Sequence, residues 1–280
     1  MIIVLGFDGL GLPLVEEFNL MAVRLSAYTE TDLSEFRTHP FTPIIWASMI
    51  TGRIIREMED TYISLQNGPL LHRVARKILP YKARAVLGKL YDRFTGKEPP
   101  IANAMNVLMG YLQERGIETI FEELDRKGVS YWHNYIPGYN GVPHHDENME
   151  VIKRALAGEK SAYQEYKRLV WRQHHERVKE FMEVLEEGRE FYFFYTNLID
   201  ALGHLFYGSK RERRRMAWAA EDLALTVSKL DAKVFIISDH GMALYDGIPD
   251  HSHNGFFSSN TGELIEKPHE LYGLLRRHLL

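Results

Sequence analysis

The chain has 280 residues, of which 45% are hydrophobic and 26% charged, with a formal charge of −4 and no cysteine. That length and apolar content suffice for a full core and exclude a mostly disordered chain. Without cysteine there are no disulfides, iron–sulfur clusters or thiolate zinc sites, so any metal must use nitrogen and oxygen donors; the acidic balance argues against duplex nucleic-acid binding.

The first predicted element is a buried strand over Ile2 to Leu5, followed by Asp8 among Gly6, Gly9 and Gly11. The run is short, lacks a basic leader and is interrupted by Asp8, so neither a signal peptide nor a transmembrane span is expected; the expectation is a soluble, cytoplasmic protein. Next comes HPFTPIIWASMITGR, where Thr42 precedes a proline and an apolar helical stretch. Two readings stay open: an ordinary capping threonine with Pro43 at the first helical position, or a hydroxyl offered to an anion at the positive end of the helix dipole.

Residues 56–112 break the pattern with Gly68-Pro69, Pro80, Gly96 and Pro99-Pro100, and are expected to form an inserted helical cap. Within it, residues 70–97 carry eight Lys or Arg against the single acid Asp92, so this segment is +7 and the remainder −11. A solvated helix face is one reading, and contact with an anionic substrate or lipid surface the other. The aromatics Tyr131, Trp132, Tyr135 and Tyr139 either pack the core or stack on a base. His144-His145-Asp146 reads as an exposed loop, and His174-His175 as a solvated face of a helix over 174–187.

A second strand is expected over 191–196, then NLIDALGH, where Asp200 and His204 stand four apart and can grip one ion from one helical turn or form a salt bridge. A helix over 215–230 follows, and the basic run Arg211, Arg213 to Arg215 reads as its solvated surface. A third strand over 234–238 delivers Asp239-His240, with Gly241 permitting a turn in which both side chains converge. His251 and His253 lie in an expected loop, PDHSHNGFF. Alternating strands and helices predict an α/β fold, an αβα sandwich with a mostly parallel central sheet, over one catalytic domain spanning 1–280. In such sheets ligands bind beyond the carboxyl ends of the strands, where these acids lie. Three carboxylates on one rim would repel by roughly 4 kcal/mol per pair at about 4 Å and an effective dielectric near 20. Two divalent ions would balance the three aspartates and a Thr42 alkoxide, the arithmetic of a two-metal phosphoryl-transfer site.

The order of GFDG at 6–9, TPIIWASMITG at 42–52, DALGH at 200–204, SDHGM at 238–242 and HSHNG at 251–255 resembles the alkaline phosphatase superfamily, most closely the type I phosphodiesterase/nucleotide pyrophosphatase family. The resemblance spans nearly the whole chain. It implies that Asp8, Thr42, Asp239 and His240 surround one metal, and that Asp200, His204 and a late histidine, His251 rather than His253, hold the other. It further implies Thr42 as the nucleophile, ten residues before Gly52, and a phosphothreonine intermediate. Zinc fits the mixed histidine and carboxylate donors, as do manganese and cobalt. The implied substrate is a small phosphodiester or nucleotide, with phosphomonoester hydrolysis or phosphoryl transfer as alternatives. Two departures stand out: Ile45 replaces the family's phosphate-binding asparagine, and no His-Gly-Ile follows Gly52. The chain is also too short for the large inserted domain of the related phosphoglycerate mutases. Outside the enzyme reading, GFDGLG suggests nucleotide binding without catalysis, although its spacing misses the dinucleotide fingerprint, and the basic segment suggests a membrane-surface protein on an inactive core.

Overall fold

A computed structural model describes residues 1–66, 100–141, 145–156 and 159–280. Six strands form the central sheet: β1 (Ile2–Phe7), β2 (Ala27–Asp32), β3 (Tyr131–His133), β4 (Phe191–Thr196), β5 (Lys233–Ser238) and β8 (Asn254–Ser259), in the order β2-β8-β5-β1-β4-β3. β3, β4, β1 and β5 run parallel, while β8 is antiparallel to β5 and β2. A separate hairpin joins β6 (Met242–Tyr245) to β7 (Ile248–His251) through Asp246 and Gly247, both at positive φ (52° and 78°), which matches a two-residue turn between twisted strands.

The central strands β1, β4 and β5 are buried on both faces, which explains why they read as unbroken apolar runs. Val4, Phe193, Tyr195, Phe235 and Ile237 meet one layer, built on the helices Thr42–Thr51, Ile120–Lys127 and Glu270–Leu279. Leu5, Phe7, Tyr192, Phe194 and Ile236 meet the other, built on Lys160–Leu185, Leu198–Phe206 and Lys210–Val227. This is the expected αβα sandwich. No helix among the described residues is long and apolar enough to cross a membrane.

Several local expectations change. The proposed 56–112 cap is described only at its ends, where Arg56–Gln66, Pro100–Leu108 and Tyr111–Glu114 are helical; the basic stretch 70–97 lies outside the described residues. The helix expected at 174–187 runs from Lys160 to Leu185, and its inward stripe includes His174 and Arg177 beside Leu169, Val170 and Phe181. His174 is therefore buried, its Nδ1 3.0 Å from Thr196 Oγ1, and is not on a solvated face; burial holds its pKa down near about 3. His145-Asp146 open the helix His145–Leu156 instead of a loop, and His144 lies outside the described residues. Of the arginine run, Arg213 is tied to Glu17 at 2.9 and 3.0 Å, whereas Arg211, Arg214 and Arg215 are exposed. Tyr135 and Tyr139 pack in the core.

Candidate metal centre

Because β1, β4 and β5 are parallel neighbours, their carboxyl ends open on one rim, and each is followed by part of the centre. Asp8 follows β1 directly, Asp239-His240 follow β5, and Asn197 after β4 leads into the helix Leu198–Phe206, whose first turn carries Asp200. Glycines let these turns touch. Gly9 sits at φ +84°, and a Cβ there would lie 2.8 Å from Asp200 N, while Asp200 N donates to the Asp8 carbonyl at 3.1 Å. A Cβ on Gly241 would come within 2.7 Å of Gly11 Cα, so these two loops pack backbone against backbone. The Ser238 hydroxyl accepts from Leu10 N (3.0 Å) and donates to the His240 carbonyl (2.6 Å), bracing the same pair of loops.

Thr42 opens the helix Thr42–Thr51, and the cap position falls on Phe41, one residue earlier than expected; the Thr42 side chain makes no capping bond. Its hydroxyl lies instead 3.3 Å from His240 Nε2, and the residue is 6% exposed. Ser48, the other hydroxyl of this stretch, is buried mid-helix and donates to Ile45 O at 2.7 Å, away from the rim. Gly52 ends the helix in the left-handed conformation.

Two groups result. In the first, His240 Nε2 stands 3.3 Å from Asp8 Oδ1 and 3.2 Å from Asp239 Oδ2, with all three residues buried. In the second, Asp200 Oδ1 is 3.2 Å from His204 Nε2 and 3.1 Å from His251 Nε2. The groups adjoin: the His240 and His251 rings stack with centroids 3.7 Å apart. All seven residues expected at the site are thus brought together. His251 ends strand β7 and is not in a loop, whereas His253 is exposed.

The tautomers follow from the backbone. His251 Nδ1 lies 2.8 Å from Pro40 O and His240 Nδ1 3.1 Å from Gly241 O; a carbonyl only accepts, so each Nδ1 carries the proton and donates it. Neutral Nε2 atoms then point lone pairs at carboxylate oxygens, an arrangement that is repulsive unless a proton or a cation lies between. With these histidines neutral and the acids ionised, Asp8 Oδ1, Asp200 Oδ1 and both Asp239 oxygens are buried with no hydrogen-bond partner. Protons relieve part of this strain in the absence of a cation. Burial, and then the charge of Asp200, push the Asp239 carboxyl up to about 8, and burial together with Asp239 and Asp200 raises Asp8 well above its ordinary value. Burial opposes the charging of His251, but the hydrogen bond and charge of Asp200 outweigh it and lift His251 to about 9. Asp200 is held low, because His204 and His251 outweigh its burial, and burial keeps His240 neutral.

Two participants escaped sequence reading. Tyr195 donates its hydroxyl to Asp8 Oδ2 at 2.5 Å from within the aromatic run of β4, where nothing in FYFFYT distinguishes it from a core residue. His39 lies 3.3 Å from Asp250, stacks on His251 with centroids 5.9 Å apart, and meets His253 edge-on at 5.2 Å. Its place three residues before Thr42 was the one available signal.

Neither the protein-family models nor the curated proteins give a match to this sequence. Among solved structures, the chain is similar to the alkaline phosphatase from the Antarctic bacterium TAB5, at 13% identity and TM-score 0.41 over 99% of this chain and 97% of that one. A histidine variant of the same enzyme, described with Mg bound in its M3 site, gives 13% identity and TM-score 0.42 over the same shares. Murine ectonucleotide pyrophosphatase/phosphodiesterase 5 matches at 11% identity and TM-score 0.36 over 87% of this chain and 57% of its own.

Proposed function

We propose that this protein is a phosphodiesterase of the nucleotide pyrophosphatase type, dependent on two divalent ions and acting through a phosphothreonine at Thr42. The observation that carries this reading is the convergence of three carboxylates and three imidazoles in two adjoining groups, Asp8, Asp239 and His240 in one and Asp200, His204 and His251 in the other. A divalent ion in each group would satisfy these donors together, in place of the protons that otherwise sit on Asp8, Asp239 and His251. In this reading residues 1–280 form one catalytic domain; Asp8, Thr42, Asp239 and His240 hold one ion, and Asp200, His204 and His251 the other. Zinc is the metal proposed, with manganese and cobalt suited to the same donors. When bound, the ions supply Lewis-acid stabilisation of charge on the phosphoryl oxygens and lower the pKa of a coordinated hydroxyl or water.

The remaining work falls to the chain. Thr42 stands at the positive end of a ten-residue helix with its hydroxyl free of capping duty, so charge developing on Oγ1 is stabilised there. As Thr42 Oγ1 attacks phosphorus the new O–P bond forms and the bond to the leaving oxygen breaks, and the proton given up by Oγ1 ends on that leaving oxygen, which departs as the alcohol or phosphate product. Water then cleaves the phosphothreonine and restores the hydroxyl. Tyr195 fixes Asp8 by donating to Oδ2, which leaves Oδ1 as the oxygen that would hold the first ion. Tyr195→Phe should therefore weaken divalent-ion affinity about 10- to 100-fold, as expected for a partner that orients a ligand. Titration against a chelating dye reads this, and unchanged affinity would remove Tyr195 from the centre.

The reaction class is tested with zinc-loaded protein on bis(p-nitrophenyl) phosphate and p-nitrophenyl phosphate, with chelated protein as the blank. Faster turnover of the diester, lost on chelation, is expected. Preference for the monoester would move the protein to phosphomonoesterase, and no turnover with zinc, manganese or cobalt would overturn the hydrolase reading.

A further inference from the structure

A phosphoester held by two cations still needs donors for the oxygens that the cations do not reach. Ile45, which stands where the resembled family places an asparagine, is 1% exposed in the apolar core and has nothing to donate. A pair of unsatisfied donors lies elsewhere on the rim. On the inward stripe of the helix Lys160–Leu185, Gln173 pairs with Asn148 and His174 with Thr196, so the polar residues around Arg177 are matched. Arg177 is 7% exposed; its Nη1 donates to Asn197 Oδ1 at 2.8 Å, but Nη2 is buried with no hydrogen-bond partner. Its guanidinium carbon lies 4.4 Å from the centroid of the Tyr135 ring. Tyr135 is 6% exposed, and its hydroxyl is also buried without a partner.

A buried guanidinium with no counter-charge is costly, and a second orphan donor against it compounds the cost. Among the described residues no carboxylate forms an ion pair with Arg177. The two groups share a need for an acceptor, and for Arg177 the best acceptor is an anion. Their position ties them to the metal centre. The Tyr135 ring meets the Tyr195 ring edge-on at 5.3 Å, and Tyr195 donates to Asp8. Asn197, which holds the other arm of Arg177, immediately precedes the helix that carries Asp200.

We propose that Arg177 Nη2 and the Tyr135 hydroxyl form an oxyanion-binding subsite beside the metal centre, which takes non-reacting phosphate oxygens of the substrate; this rests on the metal-dependent phosphoester reading. Bound phosphate supplies several acceptor lone pairs, so both donors are satisfied together, and the charge-assisted bond to arginine is the stronger of the two. The anion is either the phosphoryl group that reacts or a second phosphate attached to it.

The test is calorimetric titration of zinc-loaded protein with inorganic phosphate and with pyrophosphate, comparing wild type, Tyr135→Phe and Arg177→Gln. Arg177→Gln should weaken anion binding about 10- to 100-fold and Tyr135→Phe about 3- to 10-fold. Tyr135→Phe removes only an unpaired hydroxyl, so its Tm should stay level or rise, which separates a ligand role from a packing role. Equal losses for both anions place the subsite on the reacting phosphoryl group, and a loss confined to pyrophosphate places it on a second phosphate. Wild-type affinity for both anions in Tyr135→Phe and in any folded Arg177→Gln overturns the subsite; if Arg177→Gln does not fold, Tyr135→Phe decides alone. Wild type that binds zinc but neither anion also overturns the subsite and leaves the metal centre standing, whereas failure to bind any divalent ion overturns both.

Discussion

Thr42→Ala should lower turnover of bis(p-nitrophenyl) phosphate by at least about 1,000-fold, whereas Thr42→Ser should stay within about tenfold of wild type. The contrast follows from what the side chain does in the fold. Thr42 begins a helix without capping it, so losing the hydroxyl removes no helix bond, and the stability of the alanine variant should stay within about 1 kcal/mol of wild type. The hydroxyl's neighbour is instead His240 Nε2 at 3.3 Å, in the buried group with Asp8 and Asp239. An activity loss without a stability loss therefore assigns the oxygen to the reaction. Serine keeps that oxygen and drops only a methyl group. Initial rates with zinc-loaded proteins and a thermal melt of each variant provide the check. Equal turnover by the alanine variant would remove the phosphothreonine step, and an equal loss in the serine variant would point to packing of the methyl group.

Much of this centre is legible in the sequence because the sheet makes it so. A parallel strand covered on both faces must be a continuous apolar run, and the residue after it is delivered to the rim; Asp8 and Asp239-His240 can be read that way. Asp200 and His204 are legible from helical spacing. What could not be read has physical causes too. β2, AYTETD, alternates charged and half-buried residues at the sheet edge, and β7, IPDH, is a four-residue strand containing a proline, so neither carries a strong apolar signal. The loop expected around His251 is therefore the end of β7 and the start of β8. His174 and Arg177 are hidden for the opposite reason: polar residues on a helix read as solvated, and here they occupy its inward stripe.

Chelated protein should lose stability as pH rises from about 6.5 to 8, and loading with zinc should abolish that slope. The sign follows from the shifted groups of this centre, of which Asp239 and His251 set the slope in this window; Asp8, also raised, acts in the same direction. Asp239, raised from 3.8 to about 8, keeps its proton in the folded state while the unfolded chain has released it, so folding loses free energy as pH climbs through this window. His251, raised from 6.5 to about 9, acts in the same direction: its stabilisation is complete below 6.5 and is lost as pH approaches its folded value. His240, held neutral, opposes them only below about 6.5, where the unfolded imidazole gains its proton. Asp200, held low, matters only below its ordinary value of 3.8. Between 6.5 and 8 the first two act together, at about 1.4 kcal/mol per pH unit for each proton held, which corresponds to a fall in Tm of roughly 3–5 °C per unit for one proton. Bound cations replace those protons, so metal uptake should release protons and the zinc-induced rise in Tm should grow with pH. Melting curves of chelated and zinc-loaded protein at half-unit steps measure both slopes. A chelated protein with a flat profile, or a zinc-induced rise that shrinks with pH, would mean that these carboxylates and histidines do not face one another across a shared cation site.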